Sequence, residues 1–117
     1  MADDKSAAAG SALENARKHF TDSAVAPFDV PEWGIKVFPK HETLAGRMRR
    51  RALCKAKDYD EASSFAYTVI CLAMREDGTP HFKPLDRDAL INEVDPDVLE
   101  RVALACLGHS IEAAGKN

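Results

Sequence analysis

A chain of 117 residues is long enough for one domain with its own core, and a composition that is 45% hydrophobic and 30% charged excludes wholesale disorder. The net charge of −3 gives no global attraction to nucleic acid or to a membrane surface. The longest apolar run, Phe65–Met74, has Thr68 as its one hydrophilic position and is half the roughly 20 residues that a bilayer span needs, so it is the expected centre of a soluble core.

Residues 1–25 read as a flexible N-terminal segment. The opening MADDKSAAAG is small, polar and acidic and lacks the apolar stretch of a secretion signal. Ser11–Phe20 offers a short helix, with Ser11 as its cap, Glu14 completing a capping box, and Leu13, Ala16 and Phe20 on one face. Such a helix is marginal unless that face docks.

The domain proper is expected over 26–108. Phe28–Phe38 alternates apolar and polar residues around Trp33-Gly34, which predicts a β-hairpin with Gly34 at a positive φ. Pro31 lacks a backbone donor, so the first strand must be an edge or stop there. Two strands alone are unstable in water, and Trp33 or Phe38 is the expected contact with the helices.

From His41 to about Lys57 the pattern is helical, with Leu44, Ala45, Met48, Ala52 and Ala56 on one face and Arg47, Arg49, Arg50, Arg51, Lys55 and Lys57 over the rest. Residues 40–57 hold seven Lys/Arg and one acid, Glu42. That local +6 leaves −9 on the remainder of a chain whose total is −3. The molecule is electrically two-sided. Asp60 is placed to cap the next helix, Glu61 to about Arg75, which is apolar nearly all round and therefore buried. The rival reading is a strand through Tyr67–Met74 joined to Thr79–Phe82 by the Asp77-Gly78 turn. Ala62, Ala66, Leu72, Ala73 and Met74 favour the helix, with Gly78 closing it and Pro80 preventing its continuation.

Asp86 is the expected cap of a short helix to about Asn92. Asp95-Pro96-Asp97 supplies a cap, a first-turn proline and a first-turn carboxylate for a helix to about Leu107. Its inner stripe is Val98, Leu99, Val102, Ala103 and Cys106, and Gly108 ends it. Residues 109–117 read as a mobile tail. The predicted fold is mainly α, of the α+β kind: a small helical domain with an N-terminal β-hairpin.

The sequence offers no reaction centre. His19, His41, His81 and His109 are scattered, and Cys54, Cys71 and Cys106 have no CxxC spacing. No metal-ligand, phosphate-loop or nucleophile motif appears. The expectation is a non-enzyme without metal or cofactor. The one local feature with functional potential is the RMRRR cluster at Arg47–Arg51. It reads in three ways: a solvated helix face, an acceptor for acidic protein surface, or a phosphate contact. It lacks interleaved aromatics for base stacking, and its arginines spread over more than half the helix circumference, so nucleic acid is the weakest of the three. A small nucleic-acid-binding or regulatory protein using this basic helix is the alternative function.

Val30-Pro31-Glu32-Trp33-Gly34 with Val37, the apolar segment ending in Arg75-Glu76-Asp77-Gly78-Thr79-Pro80-His81-Phe82, and the acidic lead into Pro96-Asp97-Val98-Leu99-Glu100-Arg101-Val102 stand in an order that resembles the tail assembly chaperones of long-tailed bacteriophages, over Phe28 to Leu107. The resemblance implies a mostly helical protein with a small hairpin that acts in the host cytoplasm. It implies binding to the elongated, helical tape measure protein, keeping it soluble, helping to recruit tail tube protein, and absence from the finished virion. It also implies self-association and a frameshifted longer isoform. The residues Ala114-Gly115-Lys116-Asn117 can be encoded by a slippery run, as can many other codon choices. The two-signed surface independently favours head-to-tail contact between copies. Candidate protein-contact residues are Trp33, Arg47, Met48, Arg50, Arg51 and Phe82.

Overall fold

The computed structural model describes residues 2–56 and 61–108. Among them the chain forms helix α1 (Ala2–Asp22), strands β1 (Phe28–Val30) and β2 (Ile35–Pro39), helices α2 (Leu44–Ala56) and α3 (Glu61–Leu72), strand β3 (Ala73–Met74), and helices α4 (Arg87–Asn92) and α5 (Pro96–Cys106). The fold is α+β, mainly helical, with a small antiparallel sheet in the order β1-β2-β3. The Asp60 cap and the tail at 109–117 lie outside the described residues.

The apolar run forms the centre. Ala66, Tyr67, Thr68, Val69, Ile70 and Leu72 of α3 are all buried, and α3 packs against α2, α4, α5 and β3. A helix wrapped on most sides can be apolar on most sides. α5 presents Val98, Leu99, Val102, Ala103 and Cys106 to it, all buried as the periodicity predicts. Its start is fixed by the Asp95 carboxylate, which accepts from the backbone N–H groups of Asp97 at 2.8 Å and Val98 at 3.3 Å, ahead of Pro96 in the first turn.

The hairpin forms as its sequence requires. β1 pairs with β2 through Phe28↔Val37 and Val30↔Ile35, and Val30 and Val37 are buried together in the core. β1 is an edge strand that ends before Pro31, which opens a 3-10 turn over Pro31–Trp33. Gly34 closes this turn at φ 63°, a left-handed conformation that a Cβ would strain.

Three boundaries differ from expectation. First, α1 is one continuous helix from Ala2, with Ser11 in its interior rather than at its cap, and residues 11–22 are exposed. Second, α3 stops at Leu72, and the chain passes directly into β3, which pairs with β2 through Phe38↔Met74 and Pro39↔Ala73. The Lys40 N–H donates to the Leu72 carbonyl at 2.8 Å, so β2 claims a carbonyl that a longer helix would need. Gly78 (φ 87°) therefore serves a tight reversal, not a helix end. The Arg75 N–H donates to Thr79 O at 2.7 Å, and Met74 bridges Pro80. Helix and Asp-Gly reversal, weighed as rivals, occur in succession. Third, the Asp86 carboxylate makes no cap bond to α4. It accepts from the Lys83 N–H at 2.8 Å and closes the 3-10 turn Pro84–Asp86.

Candidate functional site

The basic helix is seated the opposite way round from its apolar periodicity. Leu44 is 71% exposed and Met48 58%, and Ala45 and Ala52 are exposed beside them. The inward side carries Cys54 and Arg50, the latter only 8% exposed. Arg50 Nε and Nη2 donate to the two carboxylate oxygens of Glu42 at 2.8 and 2.9 Å, and Nη1 donates to Thr68 Oγ1 at 3.2 Å. The Thr68 hydroxyl donates in turn to Ser64 O at 2.7 Å. This two-pronged pair lets a guanidinium sit against the apolar face of α3. The hydrogen bonds that Arg50 donates to Glu42 raise its pKa further, against an opposing pull from burial. Arg50 is therefore a structural residue, and its assignment as a contact residue is corrected. The sequence signal was Glu42, the lone acid in a strongly basic segment. It lies ahead of α2 rather than on it, so helical pattern reading does not pair it with Arg50.

Arg47, Arg49, Arg51 and Lys55 remain on the exterior. Arg47, Arg51 and Lys55 lie four apart in one row beside Leu44 and Met48. Arg47 Nε stands 4.0 Å from Glu42 and is half exposed. The exterior of α2 is thus an apolar stripe edged by cations.

On the other side of α2 from this stripe, lined there by Gly46, Arg49 and Leu53, runs an open groove of about 450 Å³ between α2, the end of α3 and the β3 reversal. Leu53, Ile70, Leu72, Met74 and Phe82 line it, and Lys40, His41 and Arg49 stand among its polar lining. Leu53 is 42% exposed there and was missed because it falls outside the predicted stripe. Phe82 and Trp33, both half-buried, meet edge-to-face at 5.7 Å and pack on the core, so each is largely structural. His81 ties the reversal to the sheet through a 2.9 Å hydrogen bond between Nε2 and Lys36 O. At the end of α1, Phe20 stacks flat on His41 at 3.6 Å.

The ionisable groups have structural duties. Asp77 Oδ1 accepts from both the N–H and the hydroxyl of Thr79, at 2.9 and 2.6 Å, which holds its carboxyl below the usual range. Glu32 is held low by its hydrogen bond from Arg101, which joins the hairpin to α5. Burial pushes the Cys106 thiol up to about 12 and raises Cys71 too, with Arg50 offsetting part of the latter. Both are protonated near neutrality. Among the described residues no group of three or more His, Cys, Asp or Glu could hold a metal, and no helix is long and apolar enough to cross a membrane. Comparison with protein-family models, curated proteins and solved structures finds no match for this chain.

Proposed function

We propose that this protein is an assembly chaperone that acts by contact, without catalysis, and that its client is an elongated, largely helical protein, in the manner of a phage tape measure protein. The observation that carries this reading is the apolar surface left open around α2: Leu44 and Met48 on its exterior, and the groove on its other side where Leu53 is exposed. A groove of this shape, with cations among its lining, suits the apolar face of an amphipathic helix whose flanks are acidic. Recruitment of tail tube protein, association between copies and a frameshifted longer isoform belong to the same proposal, as does action in the cytoplasm of an infected cell. Burial of Arg50 removes one arginine from the cluster and so weakens the nucleic-acid alternative.

Co-expression with a long, coiled-coil tape measure protein of a long-tailed phage tests the reading. The soluble fraction of that client should rise when the chaperone is present, and Leu53→Glu, which places a charge in the groove, should abolish the gain while circular dichroism remains native. A client equally insoluble with and without the protein overturns the proposal. So does preferential retention of nucleic acid, with an affinity that falls steeply with salt.

A further inference from the structure

The exterior of α2 has a complement elsewhere on the same chain. A notch of about 260 Å³ lies between α3, α4 and α5, walled by Phe65, Ile91 and Pro96 and edged by Asp97 and Glu100. Residues 86–100 around it carry six acids against one arginine. Its size suits inserted side chains rather than a whole helix. Met48 and Leu44 project from α2 between Arg47, Arg51 and Lys55, so one surface offers apolar knobs with a positive edge and the other an apolar recess with a negative edge.

A single molecule cannot join the two. Met48 lies two residues, or about 200° of helix rotation, from Arg50, so it points away from α3 when Arg50 points in. The notch is itself fixed on α3, with Leu90 and Leu99 buried beneath it. We infer that the exterior of α2 in one copy docks into the α3–α4–α5 notch of the next, with Met48 and Leu44 entering between Phe65, Ile91 and Pro96, and with Arg47, Arg51 and Lys55 meeting Asp97 and Glu100. Two different faces make the contact, so a joined pair retains one free knob and one free notch. The association is head-to-tail and grows into a ring or an open spiral instead of stopping at a symmetric dimer. This rests only on the self-association part of the proposed function. The groove stays open for a client.

The test uses two variants of the full chain, each checked by circular dichroism. Arg51→Glu with Lys55→Glu spoils the knob, and Asp97→Asn with Glu100→Gln spoils the notch without making it attractive to the acidic knob. The native chain should form species larger than a dimer in light scattering, dispersed by salt. Each variant alone should weaken association by about tenfold or more, because rim attraction becomes repulsion in the first and is lost in the second. Mixed together they should form one-to-one dimers and nothing larger, since one good knob meets one good notch and the chain then ends. Met48→Ala, which leaves the charges untouched, should also weaken association. The inference is overturned by a native chain that stays monomeric, by variants that assemble like the native chain, or by a mixture that stays monomeric. Client solubilisation, scored separately through Leu53→Glu, distinguishes these results from failure of the chaperone reading.

Discussion

Arg50→Ala isolates the most unexpected element of the fold. The side chain is buried and donates three hydrogen bonds, two to Glu42 and one to Thr68. Removing it leaves the Glu42 carboxylate, whose side chain is itself only 11% exposed, with Arg47 at 4.0 Å as its remaining cation. Breaking a buried ion pair from one side costs roughly 3–5 kcal/mol. Glu42 lies on the segment ahead of α2 and can turn towards water, so the lower end, about 3 kcal/mol, is expected here. Against a total stability of roughly 5–15 kcal/mol this is a large fraction, and for a chain of this length it lowers Tm on the order of 10 °C. Urea unfolding followed by circular dichroism measures it, with Arg49→Ala and Arg51→Ala as surface controls that should stay within about 0.5 kcal/mol of native. Adding Glu42→Gln to Arg50→Ala should recover part of the loss, because the stranded charge disappears. If Arg50→Ala is as stable as the surface controls, the buried pair has no energetic role and the inward seating of Arg50 is wrong.

Two further perturbations probe the core and the acid response. Val69 is fully buried in α3, so Val69→Asp forfeits about 1.5–3 kcal/mol of apolar burial and adds an unpaired buried charge; an unfolded circular dichroism spectrum is expected, and a native one would show that α3 is not central. Asp77 and Glu32 are both held below their ordinary values of 3.8 and 4.5 by hydrogen bonds, so they contribute stability above those values and lose it as pH falls through their folded pKa values. Tm measured from pH 6 downwards should therefore begin to fall near pH ~4.5, and Asp77→Asn with Glu32→Gln should flatten that part of the curve. An unchanged curve in the double variant would remove these two carboxylates from the acid response.

Much of this fold was legible in the residues, and the failures share a cause. The Asp95-Pro96 start of α5, its inner stripe and the Gly34 turn follow from local rules, which act over a few residues, and all three stand. The boundary at Leu72 depends on the Leu72 carbonyl accepting from the Lys40 N–H and on Ala73 pairing with Pro39 of β2, contacts between segments far apart in sequence. The orientation of α2 depends on Glu42 and Thr68 accepting from Arg50 across separations of 8 and 18 residues. Periodicity placed Leu44 and Met48 on one face but left open which way that face turns, because it counts apolar side chains and cannot see a guanidinium whose charge is matched by a neighbouring loop. The candidate surface was half legible for the same reason: Arg47, Arg51 and Met48 belong to it, Leu53 joins it, and Arg50 leaves it.

No residue separates Leu72, the last of α3, from Ala73, the first of β3. Sliding β3 by one position along β2 would therefore drag the helix with it and turn its sides by about 100°, carrying Val69 out of the interior and Thr68 away from Arg50. Strand alignment and helix rotation are thus one setting rather than two. An error in either is penalised by both, which guards a very short strand against mispairing and makes sheet and helices melt together.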